Sequence, residues 1–311
     1  MAKYIIRRIL IALPTMFITL SIIFFSLRIL PGDPALAILG EGASEEVLAK
    51  LREQMGLNVP VWQQYVNYLA GIFRGDFGES ISTGKPVSEM IQSIFPHTMR
   101  LAIGGLIVGC VIGIPLGILS AIKQNTTMDN AIRFIAMIGI SFPPFFLAIL
   151  FMVVFSLKIE LFPSMGAGET FMENLYHLVL PSLTLGVILG AILMRFVRSS
   201  MLDEINQDYV RTARSKGASE KLVIYKHVLR NSLIPVITVI GLDITALLSG
   251  AILTETIYSR PGLGSMAVGA IVARDFPTLQ GCLVLFTILV VGVNLVVDVS
   301  YSLVNPKIRP S

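Results

Sequence analysis

Between Asp203 and Arg230 the chain reads DEINQDYVRTARSKGASEKLVIYKHVLR, with Arg211, Arg214, Lys216, Lys221, Lys226 and Arg230 set against Asp203, Glu204, Asp208 and Glu220. Long apolar runs flank this stretch on both sides. Val210, Ala213, Leu222, Val223, Val228 and Leu229 put small and apolar side chains between the charges. Gly217, after Arg214-Ser215-Lys216, marks a helix end and the start of a turn. A short helix, a tight turn and a second helix returning to an apolar run form a shape that fits a groove on another protein. A solvated loop, or a basic patch for anionic lipid, is the competing reading. The apolar face and the glycine turn favour the protein partner.

Catalytic constellations are missing from the sequence. Gly84-Lys85 lacks the upstream glycine of a phosphate-binding loop, since Glu79 stands there, and Pro86 follows where Ser or Thr is needed. No metal-binding spacing of His or Cys occurs, and Cys110 and Cys282 each sit in an apolar run. The expectation is a non-enzyme that binds no cofactor or metal of its own. Ionisable residues inside apolar runs are then the candidates for function, because a charge at mid-bilayer costs about 2.5–3.5 kcal/mol on insertion scales. Asp243 is the clearest, facing either a translocation pathway or a polar neighbour at a helix contact. Arg100, Glu255, Arg195 and Asp298 fall near run ends, where they are expected to reach water as anchors.

The elements that position these residues are apolar helices. The chain has 311 residues, 54% hydrophobic and 14% charged, whereas soluble domains are about a quarter charged. Apolar runs of about 20 residues suffice to cross a bilayer. Six are expected, spanning about 9–30, 98–122, 130–157, 177–199, 232–257 and 276–303, in a single all-α polytopic membrane domain. Ile9 to Leu27 is uncharged after Lys3, Arg7 and Arg8, and no small-residue cleavage site follows. It reads as a retained first span. The second carries Gly105, Gly109, Gly113 and Gly117 on one face, a spacing that lets another helix approach closely. The third is interrupted by Pro143-Pro144, which predicts a kink or a broken helix lining a pathway. In the 31–97 segment, amphipathic helices are expected after Ser44 and after Pro60. A third, Pro86 to Phe95, is expected along the membrane surface, with Pro96 turning the chain inward.

Positive charge sets the orientation. With an even number of spans both termini share a side with the 200–231 loop. That side holds 15 of the 24 Lys and Arg residues although its loops are collectively shorter. Positive residues mark the cytoplasm, so both termini and the loop are inside and the 31–97 segment is outside.

Asp208-Tyr209-Val210-Arg211-Thr212-Ala213-Arg214-Ser215-Lys216-Gly217, followed by His227-Val228-Leu229-Arg230-Asn231-Ser232-Leu233-Ile234-Pro235, resembles the cytoplasmic signature of bacterial ABC-importer permeases, in the dipeptide, oligopeptide and nickel branch. Leu30-Pro31-Gly32-Asp33-Pro34, Gly75-Asp76-Phe77-Gly78, Ser141-Phe142-Pro143, Arg260-Pro261-Gly262-Leu263-Gly264 and Arg274-Asp275-Phe276-Pro277 are similar to the same branch. The general signature opens Glu-Ala-Ala; here Arg211, Thr212 and Ala213 stand at those positions. The resemblance implies an inner-membrane permease subunit that pairs with a second, similar permease. It implies two cytoplasmic ATPase subunits carrying ATP and Mg, and an extracytoplasmic binding protein. Asp208, Tyr209, Arg211, Thr212, Ala213, Arg214, Lys216 and Gly217 would couple to the ATPase. Asp76, Arg260, Pro261, Gly262 and Gly264 would face the binding protein. Short peptides or glutathione are the implied substrates, with nickel complexes and opine-like compounds as alternatives. A self-sufficient ion-driven carrier is the contrasting reading.

Overall fold

A computed structural model describes residues 2–29, 35, 36 and 42–304. The Leu30–Pro34 motif, Lys307 and Arg309 lie outside them. The described chain is helical, apart from an isolated antiparallel bridge between Glu79 and Pro86. Helix α1 is Ala2–Ile29, α2 Glu45–Gln54, α3 Val61–Arg74, α4 Val87–Ile122 and α5 Thr127–Ser141. Helix α6, Pro144–Phe151, continues as a π-helix over Met152–Lys158. Helix α7 is Phe171–Ile205 and α8 Asp208–Ser215. A turn at Glu220–Leu222 and a π-helical stretch Val223–Val228 lead into α9, Leu229–Ile257. Then come α10, Leu263–Val272, and α11, Phe276–Val304.

Five of these helices, counting α9 with its lead-in from Glu220, are long and apolar enough to cross a membrane. The α5–α6 pair makes up to six, bent by 103° at its break. The bend has a local cause. Pro143 adopts an extended conformation and Pro144 starts a new helix, where its missing N–H costs nothing. The two prolines therefore end one helix and begin another.

The α4–α7 pair is the spine of the fold, in the most extensive helix contact of the chain. Gly105, Gly109, Gly113 and Gly117 are all buried and face α7. A Cβ on Gly109 would lie 2.6 Å from Leu189, and one on Gly113 2.5 Å from the Gly190 carbonyl. At about 1.5 Å per residue, helices of 36 and 35 residues run to roughly 50 Å, against a hydrocarbon core of about 30 Å. Both must project beyond the bilayer. Helix α7 thereby carries its far end, Met201 to Ile205, out to the 200–231 loop.

One expectation fails here. Pro86 to Phe95 is no separate surface helix, and Pro96 does not turn the chain, because both belong to the unbroken α4. Val87 and Ile91 are buried with Leu263, beside Phe77, Phe286 and Leu289. The apolar face of that segment meets protein.

Candidate functional site

Helix α8 is held between two long helices. Its Val210 is fully buried in a cluster with Met201 of α7 and with Val223, Ile224 and Val228, which lead into α9. Ala213 and Ala218 pack on the same cluster. Tyr209 braces the helix from the side. Its hydroxyl donates to Glu204 at 2.5 Å and accepts from the Asn231 amide at 3.0 Å, so one phenol ties α8 to the end of α7 and the start of α9. Burial, and then the Glu204 carboxylate, push the Tyr209 phenol above its ordinary range.

The far end of α8 closes as the sequence suggests. Gly217 takes the left-handed conformation at φ +80. Its N–H donates to the Arg214 carbonyl at 2.9 Å and that of Ala218 to the Ala213 carbonyl at 3.2 Å, which satisfies the helix's last carbonyls. Arg214 spans the turn with two bonds to Glu220, 3.2 and 2.7 Å. That pair is exposed and contributes at most about 1 kcal/mol, so its value lies in fixing the turn. Asp208, Arg211, Thr212, Ser215 and Lys216 are left exposed on the outer face. The site is thus a short helix with a buried small-residue side, a braced flank and a polar, basic outer side.

The other sequence candidates lie elsewhere. Asp243 is half-buried in α9, and its Oδ2 is enclosed with no hydrogen-bond partner among the described residues. Pro144 opens α6, which packs against α9; the Tyr258 hydroxyl beyond α9 donates to the Ala148 carbonyl at 3.1 Å. Asp76 is exposed and its Oδ1 accepts the Gly78 N–H at 2.9 Å.

Arg260, Gly262 and Gly264 are buried and Pro261 is half-buried, so this stretch packs largely within the fold. Glu255 corrects a second expectation, because it is fully buried and does not reach water. Thr98 donates to its Oε1 at 2.6 Å, and the Gly264 N–H donates to its Oε2 at 2.8 Å. A Cβ on Gly262 would fall 2.1 Å from the Glu255 carboxyl carbon, so glycine is required there for close approach. Arg260 donates to Asn174 at 2.9 Å.

Two more polar knots escaped the sequence reading. Asp129, at the start of α5, takes two bonds from Arg198 of α7, at 2.9 and 2.8 Å, and one from Ser120 of α4 at 2.5 Å. Asp275, before α11, accepts from Ser80 at 2.5 Å and from Ser82 and Thr278 at 2.9 Å each, which ties the 79–86 hairpin to α11. Burial raises the Asp275 carboxyl, but the bonds from Ser80, Ser82 and Thr278 outweigh it and hold the group below its ordinary range. An isolated Asp or Ser carries no sequence signal for such distant pairings.

Helix α8 is thus seated on the ends of α7 and α9, and comparison with known proteins identifies the family. Residues 113–310 match the family described as binding-protein-dependent transport system inner membrane component, and residues 1–102 match its N-terminal component. The chain belongs to this family. It is 40% identical over 309 residues to the glutathione transport system permease protein GsiC of Escherichia coli K12, covering 99% of both chains. The Salmonella typhimurium LT2 protein of that name is 41% identical over the same length. Among solved structures it is similar to an inward-facing MetNI methionine ABC transporter chain, with TM-score 0.58 at 18% identity, over 70% of this chain and 96% of that one. An amino acid ABC transporter chain matches with TM-score 0.56 at 11% identity, over 69% and 94%. Those two likenesses establish the fold, that of an ABC-importer permease, and the family match makes the chain a multi-pass inner-membrane protein.

Proposed function

We propose that the chain is the permease subunit of an ATP-driven importer that takes glutathione or short peptides from a periplasmic binding protein into the cytoplasm. Asp208 to Gly217 is the element through which the ATPase acts. It works beside a second, homologous permease and above two cytoplasmic ATPase subunits that carry the ATP and Mg. The observation that carries this reading is the seating of α8: one buried face and one tyrosine brace join it to both α7 and α9. A displacement of α8 is passed to two membrane helices at once, as alternating access requires. The substrate class rests on the relatives' names, and full-length identity at 40% supports it.

Charge reversal tests the coupling. Arg211→Glu together with Arg214→Glu should abolish uptake and release the ATPase subunits on purification, with membrane insertion unchanged. Adding Glu220→Arg restores the pair across the turn. If that triple variant regains uptake, the loop's internal geometry matters more than its outer charge. Unchanged transport in the double variant would sink the assignment. Uptake assays with glutathione, dipeptides and nickel complexes in competition then decide the substrate class.

A further inference from the structure

We propose that α3, Val61–Arg74, lies within the outer leaflet of the membrane, with Trp62, Val66, Leu69 and Phe73 against lipid. The helix carries no charged residue from Val61 to Phe73. Spacings of four, three and four residues put those side chains on one stripe. Trp62 is 68% exposed and Phe73 85%.

The opposite face fixes the depth. The Tyr65 hydroxyl lies 2.6 Å from Ser21 Oγ, and its ring meets Phe24 edge-on at 5.1 Å and stacks on Phe25 at 5.4 Å. The Phe17 ring is 6.3 Å away. Tyr68 donates to the Leu20 carbonyl at 3.4 Å, and the Arg28 Nε to Gln64 at 2.9 Å. These partners belong to α1, whose apolar span is Arg8–Ser26. At about 1.5 Å per residue, Ser21 and Phe17 lie roughly 8 and 14 Å inward from Ser26. A helix that rests on α1 from Arg28 inward to Phe17 lies between the headgroups and the bilayer centre, within one leaflet. Ile18, Ile22 and Phe25 of α1 are exposed as well.

The third side of α3 is mixed, with Gln64, Asn67 and Tyr68 beside Gly71 and Ile72. Gln64, Asn67 and Tyr68 line a cavity of about 870 Å³ with Asp76, Glu79 and Gln280. Water is thus met on one side and lipid on another, the division that holds an amphipathic helix at an interface.

Benzoylphenylalanine in place of Trp62, and separately of Phe73, tests this in the assembled transporter in its own membrane. Irradiation should give phospholipid adducts on this chain and no shifted protein band at either position. A covalent band containing the binding protein or the second permease would overturn the proposal and name the true occupant. Trp62 is the sole tryptophan, so the unmodified full chain gives a second readout in liposomes. Brominated acyl chains should quench its emission roughly twofold or more, and aqueous iodide far less, as for a side chain buried about 5–10 Å into the interface. The reverse order of quenching would place the stripe in water.

Discussion

Gly217 holds φ +80 where α8 ends, and no heavy atom lies within 4 Å of the place its Cβ would take. Space is free, so the constraint is backbone conformation alone, worth about 1–2 kcal/mol for a residue with a bulky Cβ. Gly217→Val should therefore cut uptake and ATPase copurification severalfold, whereas Gly217→Asn, which tolerates the left-handed region, should keep most of both. Equal behaviour of the two would mean the turn is not needed. Asp275 makes a different claim, about pH. Its folded-state acidity lies on the low side, so its stabilisation is complete above the ordinary aspartate value of about 3.9 and fades only as pH falls further. Asp275→Asn should lower the unfolding temperature at neutral pH and flatten its decline in acid; an unchanged acid profile would refute this. Gly217 was legible because its motif is local. Asp129, Glu255 and Asp275 were not, since Arg198, Thr98 and Ser80 lie 69, 157 and 195 residues away in the chain.

Among the elements, the glycine ladder of α4 and the proline pair at the start of α6 could be read from spacing because each signal lies within one short run of sequence. The start of α4 could not. Its apolar face matched a membrane-surface helix equally well, and the partners that cover it, Leu263 and Phe286, come from α10 and α11. Glu255 was misjudged for the same reason: it is two residues from the end of α9, but the chain returns and lays Gly262 and Gly264 over its carboxylate. The ladder supports a quantitative expectation. A methyl on Gly113 would meet the Gly190 backbone, which has nowhere to move without parting α4 from α7. Gly113→Ala should cost about 1–3 kcal/mol, the usual range for overpacking, read as a lower unfolding temperature of the purified complex. Gly269→Ala, with nothing within 4 Å of the new methyl, is the control and should leave stability unchanged or raise it by up to about 1 kcal/mol, since alanine favours the helix.

At the scale of the whole molecule, the family match makes the chain one component of a binding-protein-dependent transport system. The sequence has no phosphate-binding loop, and the helix that would receive the stroke of an ATPase is fastened to α7 and α9 rather than floating on the surface. Asp243 sits in α9 with one carboxylate oxygen enclosed and without a partner among the described residues, while α6, the second half of the broken pair, packs beside the same helix. A tilt of α9 driven through α8 would therefore move both pathway candidates together. This arrangement predicts that flux is conditional on the full assembly. In liposomes, this chain with its second permease should give no net uptake of glutathione or dipeptide, with or without an ion gradient. Adding the ATPase pair, ATP, Mg and the loaded binding protein should start uptake, and Asp243→Asn should slow transport without loosening the ATPase. Flux driven by an ion gradient in the absence of ATP would instead favour a self-sufficient carrier. Loss of ATPase binding in Asp243→Asn would mean that α9 transmits in the opposite direction, from pathway to loop.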